Sequence, residues 1–136
     1  MKRVFADTSY FIAVIVPNDA LHVRAQAWAD ESPRLLTTSW VMAELAAYLA
    51  APANRPLFGK VLAALRTSPL VEIVPATQDH FDRAVELYAA RPDKAWSLVD
   101  CISFIVMQRE GLTDALSADH HFTQAGFNAV LAEVGK

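Results

Sequence analysis

Short apolar segments alternate with longer amphipathic segments along the chain, and this alternation limits the possible folds more than any other feature of the sequence. The apolar segments have the length of strands, and the amphipathic segments have the spacing of helices. The strands are predicted at 3–6, 35–38, 71–74, 115–117 and 129–131. The helices are predicted at 10–16, 21–30, 40–50, 57–66, 78–90 and 98–110, with a short helical turn before the last strand. Strands joined by helices form a parallel sheet covered on both faces, so the predicted class is α/β.

Size and composition agree with a single domain over residues 1–136. Of the 136 residues, 54% are hydrophobic and 20% are charged, with four Gly and seven Pro. Domains usually hold about 100–200 residues. This apolar fraction is too high for a disordered chain, and Gly and Pro are too few for a low-complexity one. We therefore expect one compact domain with a sizeable core.

The sequence favours a cytoplasmic location. The one cysteine, Cys101, cannot form an intramolecular disulfide, so nothing indicates an oxidising compartment. No apolar run reaches the roughly 18–20 residues that a membrane-spanning helix requires. Asp7 interrupts the apolar segment after the basic start, which argues against a signal peptide. We expect no membrane segment.

The net charge limits how the protein could bind nucleic acid. Twelve Lys and Arg stand against fifteen Asp and Glu, which gives a net charge of -3. This sign excludes coating of nucleic acid by bulk attraction. Any nucleic-acid partner would have to be held locally or through metal ions.

Two aspartates follow predicted strands. Asp7 comes directly after the first strand and Asp119 comes soon after the fourth. In open parallel sheets, ligands bind beyond the carboxyl ends of the strands, where the strand order reverses. The alternative is that each aspartate only caps the next helix, and for either residue alone the sequence leaves both interpretations open.

Two further acids lie within predicted helices. Glu44 falls between Val41 and Leu45 on an apolar stripe, so we expect it among core-facing positions. Asp100 begins a helix that is apolar nearly all round, and Ser97 lies three residues before it. That spacing is typical of a capping box, which explains the position of Asp100 but not why four acids would converge.

Four converging carboxylates would need cations. Two carboxylates about 4 Å apart repel by roughly 1 to 4 kcal/mol at effective dielectrics between those of water and a protein surface. No Lys or Arg lies within three residues of any of the four acids. Hard oxygen-binding ions such as Mg²⁺ or Mn²⁺ are therefore the expected partners, and such sites hydrolyse or transfer phosphates.

At these residues the chain resembles the PIN-domain ribonucleases, and most closely the VapC-type toxins of bacterial toxin–antitoxin pairs. Four segments carry the resemblance, and they read ADTS at 6–9, TTSWVMAEL at 37–45, SLVDC at 97–101 and LSADHHF at 116–122. Each segment alone is weak, but all four occur in order and span nearly the whole chain.

The resemblance implies a three-layer α/β/α fold with a five-stranded parallel sheet in the order 3-2-1-4-5. It also implies four acidic metal ligands and a serine that orients a bound water or a neighbouring acid: Asp7, Glu44, Asp100, Asp119 and Ser9. Ser117 stands where many relatives have Thr, and it keeps the hydroxyl.

The expected activity is that of an endoribonuclease dependent on Mg²⁺ or Mn²⁺, which leaves a 5′-phosphate and a 3′-hydroxyl. The resemblance further implies neutralisation by a small antitoxin and a homodimer. One alternative is a non-catalytic interaction module with the same fold. The other is a phosphoaspartate enzyme or receiver with Asp7 as the nucleophile, although that pattern requires a second acid where Ser9 stands.

For several other polar residues we favour a structural or solvent-exposed role over a role in the site. His120 and His121 are too few for a zinc site without further ligands, so we expect them to pack or to cap a helix. Asp114 precedes the fourth strand and should lie at the opposite edge of the sheet. Arg91 and Lys94 could touch a substrate phosphate, although exposed loop charges are usually only solvated.

Overall fold

The protein is described by a computed structural model over residues 2–132, in which five parallel strands form one sheet. The strands are β1 (Arg3–Ala6), β2 (Arg34–Thr38), β3 (Val71–Val74), β4 (Asp114–Leu116) and β5 (Asn128–Ala129). Their order is β3-β2-β1-β4-β5, and all four pairings are parallel. The fold is a three-layer α/β/α sandwich. This confirms the expected class and strand order.

Seven helices connect the strands in residues 2–132. They are α1 (Thr8–Ile15), α2 (His22–Asp30), α3 (Ser39–Tyr48), α4 (Arg55–Thr67), α5 (Gln78–Ala90), α6 (Leu98–Glu110) and α7 (His120–Gln124). Within the same residues, none of the helices combines the length and the hydropathy that crossing a membrane requires.

Several predicted boundaries differ from the structure by one or two residues, those of the first helix and the last strand among them. The first helix begins at Thr8 rather than at residue 10, so it starts directly after β1. The last strand covers only Asn128–Ala129 instead of 129–131. Its end is set by a turn, in which Ala132 N donates to Ala129 O.

Local hydrogen bonds fix the ends of the helices that follow or precede strands. Thr38 ends β2, and its Oγ1 accepts from Val41 N at 3.0 Å to cap α3. At the end of α6, Gly111 adopts a left-handed conformation with φ 67°, and Leu112 N returns to Met107 O at 2.9 Å. A glycine is favoured there because it has no Cβ to clash in that region.

An aromatic cluster anchors α6 and α7 to the sheet. Phe5 of β1 packs on Phe122 of α7 with ring centroids 6.3 Å apart, and Phe122 meets Phe104 of α6 edge-on at 5.1 Å. All three rings are buried. Burying such a side chain stabilises the fold by roughly 1.5–3 kcal/mol. The cluster therefore fixes the two helices that begin next to Asp100 and Asp119.

The strand order reverses between β1 and β4. From β1 the chain moves outward through β2 to β3, and then crosses back to β4 on the other side of β1. Asp7 N donates to Leu116 O at 3.4 Å, which joins the carboxyl ends of these two strands. A parallel sheet of this type binds its ligands at such a point.

Candidate active site

Asp7 occupies the carboxyl end of β1 and is buried, with 8% of the residue exposed. It holds the N-cap position of α1, but its side chain makes no capping hydrogen bond. Instead, its Oδ2 accepts from Ser9 Oγ at 3.0 Å. Burial raises the pKa of Asp7 to about 6, although hydrogen bonds from Ser9 and Ser117 partly oppose this rise. Helix capping therefore does not explain Asp7.

Two serines connect Asp7 with the loop after β4. Ser9 Oγ lies 3.4 Å from Ser117 Oγ, and Ser117 Oγ accepts from Asp119 N at 3.0 Å. Ser117 is fully buried, so its hydroxyl is held in one place by these contacts. The serines link the two strand ends on which Asp7 and Asp119 were predicted to meet.

Asp100 and Asp119 both cap helices, and both face the same imidazole. Asp100 forms a capping box with Ser97, and Asp119 Oδ1 accepts from His121 N at 2.9 Å. His121 Nδ1 lies 3.1 Å from Asp100 Oδ2 and 3.3 Å from Asp119 Oδ1. The capping interpretation is thus correct for these two acids, and it coexists with their placement around His121.

Glu44 differs from the sequence-based expectation. It is exposed on α3, whereas Val41, Met42 and Leu45 are buried. Its position lies on the flank of the apolar stripe, because three residues do not complete a helical turn of 3.6. Its Oε1 accepts from Thr8 Oγ1, next to Asp7. Glu44 therefore reaches the start of α1 from outside the core.

The structure brings the four predicted acids to one edge of the sheet, where Glu44 accepts from Thr8, His121 contacts Asp100 and Asp119, and the charge of Asp100 adds to the rise in the pKa of Asp7. Within residues 2–132, the one group of three metal-ligating side chains whose donor atoms lie within 4.8 Å of each other is Asp119, His120 and His121. In the same part of the chain, no Lys or Arg forms an ion pair with any of the four acids. The groups that contact these carboxylates are histidine, hydroxyl groups, backbone N–H groups and solvent.

His121 is the contact that sequence reasoning missed. We expected this histidine to pack or to cap, whereas its ring joins two of the predicted site acids. The available signal was its place two residues after Asp119. The contact with Asp100 spans 21 positions and depends on how α6 and α7 pack, which no local pattern reports.

The loop before α6 carries the two cations that the sequence singled out. Arg91 forms two hydrogen bonds of 3.0 Å with Asp93, and its guanidinium lies 5.3 Å from the centroid of the Trp96 ring. Lys94 Nζ is 3.8 Å from Asp93 Oδ2. Trp96 Nε1 donates to Gln124 Oε1 of α7 at 3.0 Å, so the loop is tied to the helix that follows Asp119.

Asp114 lies at the other edge of the sheet, as predicted. It is the first residue of β4 and accepts from Asn128 Nδ2 at 2.9 Å. Lys2 Nζ lies 3.7 Å from its Oδ2. Asp114 is therefore a useful control for the acids at the carboxyl edge.

The fold and the strand-end acids define a protein class that comparison with known families identifies. The PIN-domain family model matches residues 4–128, and the chain therefore belongs to the PIN-domain family. The 23S rRNA-specific endonuclease VapC20 of Mycobacterium tuberculosis is 32% identical over 134 residues, which cover 96% of this chain and 99% of that protein. The sequence resemblance to VapC-type PIN ribonucleases is confirmed.

Solved structures agree with this assignment. The crystal structure of Mycobacterium tuberculosis VapC20, described as a sarcin–ricin loop cleaving toxin, matches with a TM-score of 0.82 and 30% identity, over 93% of this chain and 97% of that one. FitAcB from Neisseria gonorrhoeae matches with a TM-score of 0.66 and 21% identity, over 93% and 98% of the two chains. At that identity, the second match supports the fold alone.

Proposed function

We propose that this protein is the toxin of a toxin–antitoxin pair and hydrolyses RNA at the carboxyl edge of β1 and β4. One observation carries the proposal: Asp7 is buried at the reversal of strand order, has no cationic partner among residues 2–132, and is connected to Asp119 through Ser9 and Ser117. Burying a carboxylate without a cationic partner destabilises the fold, so folding alone does not account for this position. The similarity of this chain to VapC-type relatives supports an endoribonuclease activity.

The donor set fits a hard divalent cation. PIN-domain nucleases use divalent metal, and we propose Mg²⁺ or Mn²⁺ here, held by the carboxylates of Asp7, Glu44, Asp100 and Asp119. Carboxylate oxygens are the ligands these ions prefer. When bound, such an ion supplies a more acidic attacking water and offsets charge on the leaving oxygen.

The protein's own side chains orient the site. Ser9 donates to Asp7 Oδ2 and so holds that carboxylate in one direction. The capping box holds Asp100 at the start of α6, and His121 N holds Asp119 at the start of α7. In the proposed reaction, a water oxygen attacks phosphorus and the bond to the 3′-oxygen breaks. The products are a 5′-phosphate and a 3′-hydroxyl.

The named relatives suggest the first substrate to test. VapC20 is described as specific for 23S rRNA and as cleaving the sarcin–ricin loop, and we propose a structured ribosomal RNA loop as the substrate here. Loops are read by local shape and stacking, which an acidic protein can provide through a few contacts. We further propose a cytoplasmic location, a small antitoxin partner and a homodimer.

An RNA cleavage assay tests the proposed function. The protein is incubated with a sarcin–ricin loop RNA in Mg²⁺, in Mn²⁺ or in EDTA, beside Asp7→Asn and Asp114→Asn. We expect cleavage that requires metal, is lost in Asp7→Asn and persists in Asp114→Asn, because Asp114 lies at the opposite edge of the sheet. Cleavage by Asp7→Asn at the wild-type rate would show that the site is elsewhere. If no metal supports cleavage of this RNA or of total RNA, the non-catalytic module is favoured.

A further inference from the structure

Three consecutive residues at the start of α7 place nitrogen and oxygen donors close together. Asp119 Oδ1 lies 3.6 Å from His120 Nδ1 and 3.3 Å from His121 Nδ1. The donor atoms of all three residues lie within 4.8 Å of one another, and no other group of this kind occurs in residues 2–132. The proposed RNA cleavage makes no use of either imidazole.

Two of the separations are close to those that a small tetrahedral ion requires. Zn²⁺ binds His nitrogen and carboxylate oxygen at about 2.0–2.2 Å, and tetrahedral angles then put neighbouring donors about 3.3–3.5 Å apart. The two distances from Asp119 Oδ1 lie at or close to this range. Two of the three donor separations therefore already suit a bound ion, and the two ring nitrogens lie within 4.8 Å of each other.

The surroundings favour a cation and leave a path to it. Asp100 Oδ2 lies 3.1 Å from His121 Nδ1, which adds a second carboxylate beside the three donors. The side chain of His121 is 18% exposed, whereas that of His120 is 74% exposed and borders solvent. The buried ring of Phe122 fixes the helix that carries all three donors. One donor thus lies at the surface, and the other two are held by hydrogen bonds.

We propose that Asp119, His120 and His121 form a mixed nitrogen–oxygen site that binds Zn²⁺, or a similar first-row transition ion, in preference to Mg²⁺. Imidazole nitrogen suits Zn²⁺, Co²⁺ and Ni²⁺, whereas Mg²⁺ takes oxygen ligands and gives up its water reluctantly. The site shares Asp119 with the proposed nuclease centre, but its existence does not depend on RNA cleavage.

Calorimetric titration of the full, tag-free chain with Zn²⁺ and, separately, with Mg²⁺ tests this site in the absence of RNA. The variants are His120→Ala and His121→Ala, and the matched control is His80→Ala, a histidine on α5 whose Nδ1 contacts Thr77 Oγ1. We expect Zn²⁺ to bind at least tenfold more tightly than Mg²⁺. Either variant should weaken Zn²⁺ binding at least tenfold, and the control should bind as the wild type does.

Two results would overturn the site: Zn²⁺ that binds no more tightly than Mg²⁺, or Zn²⁺ affinity that both variants retain. Nitrogen NMR of the histidine rings gives a second measurement on the wild type, in which added Zn²⁺ should shift the signals of His120 and His121 and leave that of His80 unchanged. This measurement stands even if His121→Ala does not fold. A protein that binds Zn²⁺ in this way but cleaves no RNA would refute the proposed function and leave the metal site intact.

Discussion

At the scale of single residues, Asp7 shows how a functional position works against stability. It is buried at a strand end, where an apolar side chain would stabilise the fold more, and its pKa is raised to about 6 by burial. Ser9 and Ser117 supply hydrogen bonds to it but no positive charge. A site prepared for a cation therefore carries a cost whenever the cation is absent.

Asp7→Asn should stabilise the metal-free protein at pH 7. The pKa of Asp7 rises from 3.8 in the unfolded chain to about 6 in the folded one. Between these values the folded state binds more protons than the unfolded state, so wild-type stability falls as the pH rises from about 4 to about 6 and then levels off. That rise in pKa corresponds to a loss of about 3 kcal/mol, which Asn avoids.

Urea unfolding in EDTA at pH 7 and at pH 4 measures this effect. We expect the advantage of Asp7→Asn to be largest at pH 7 and to shrink towards pH 4, while Asp114→Asn shows no such pH-dependent gain. A variant that is less stable than the wild type at pH 7 would contradict the account of Asp7 as a buried, uncompensated charge.

Asp100 allows capping and chemistry to be separated. Its Oδ2 accepts from Ser97 N at 3.0 Å, and its own N donates to Ser97 Oγ at 3.0 Å. In Asp100→Asn the amide oxygen can still accept, so we expect a folded protein that has lost nearly all RNA cleavage. In Ser97→Ala the cap is lost at a cost of about 1 kcal/mol, but the acid remains and most activity should persist.

Thermal melting and cleavage rates of both variants give the comparison. If Asp100→Asn cleaves RNA as fast as the wild type, Asp100 acts only as a helix cap. Equal loss of cleavage in the two variants would mean that the geometry of the cap, rather than the charge of the acid, controls activity.

At the scale of elements, the sequence predicts most of the fold because period and length separate its strands from its helices. The strand-end acids follow from the same pattern, since Asp7 stands directly beyond the first predicted strand and Asp119 two residues beyond the fourth. The prediction that Glu44 lies among core-facing positions is wrong, because the sequence alone does not distinguish the edge of a helical stripe from its centre. The contact of His121 with Asp100 could not be predicted, since it depends on how two separate helices meet.

The loop between α5 and α6 carries two cations that contact Asp93 in different ways. Arg91 is engaged by Asp93 and lies over Trp96, so its role is to hold the loop. Lys94 Nζ lies 3.8 Å from the same carboxylate, and Lys94 lines a cavity of about 130 Å³ together with Arg91, Tyr88 and Trp96. We expect Lys94→Ala to raise KM for RNA several-fold with little change in kcat.

Salt dependence gives this prediction its measurement. Loss of one phosphate contact should lower the slope of log affinity against log salt by about 1. Lys60→Ala, which removes an exposed cation from α4, is the matched control and should leave KM and the slope unchanged. An unchanged KM in Lys94→Ala would show that this loop does not contact RNA.

At the scale of the whole molecule, the negative charge of the protein suggests how a partner protein could inhibit RNA cleavage. The net charge is -3, and four acids without Lys or Arg partners in residues 2–132 lie at one edge of the sheet. An arginine from another protein can pair with such carboxylates through its planar fork. A groove of about 470 Å³ between α3 and α4, lined by Met42, Phe58 and Leu62, runs beside the helix that bears Glu44.

We expect a small antitoxin to use both features. Its C-terminal segment, disordered when free, should lay apolar side chains in this groove and place an Arg or Lys among Asp7, Glu44, Asp100 and Asp119. Coexpression with a small protein encoded beside this gene should yield a stable complex that does not cleave RNA. Leu62→Glu should weaken the complex, because it puts a charge into the groove, whereas Ala64→Glu, at an exposed position of the same helix, should not. A complex that forms but cleaves RNA as fast as the free protein would show that the partner acts away from the acids, and equal binding of both variants would exclude this groove as its docking surface.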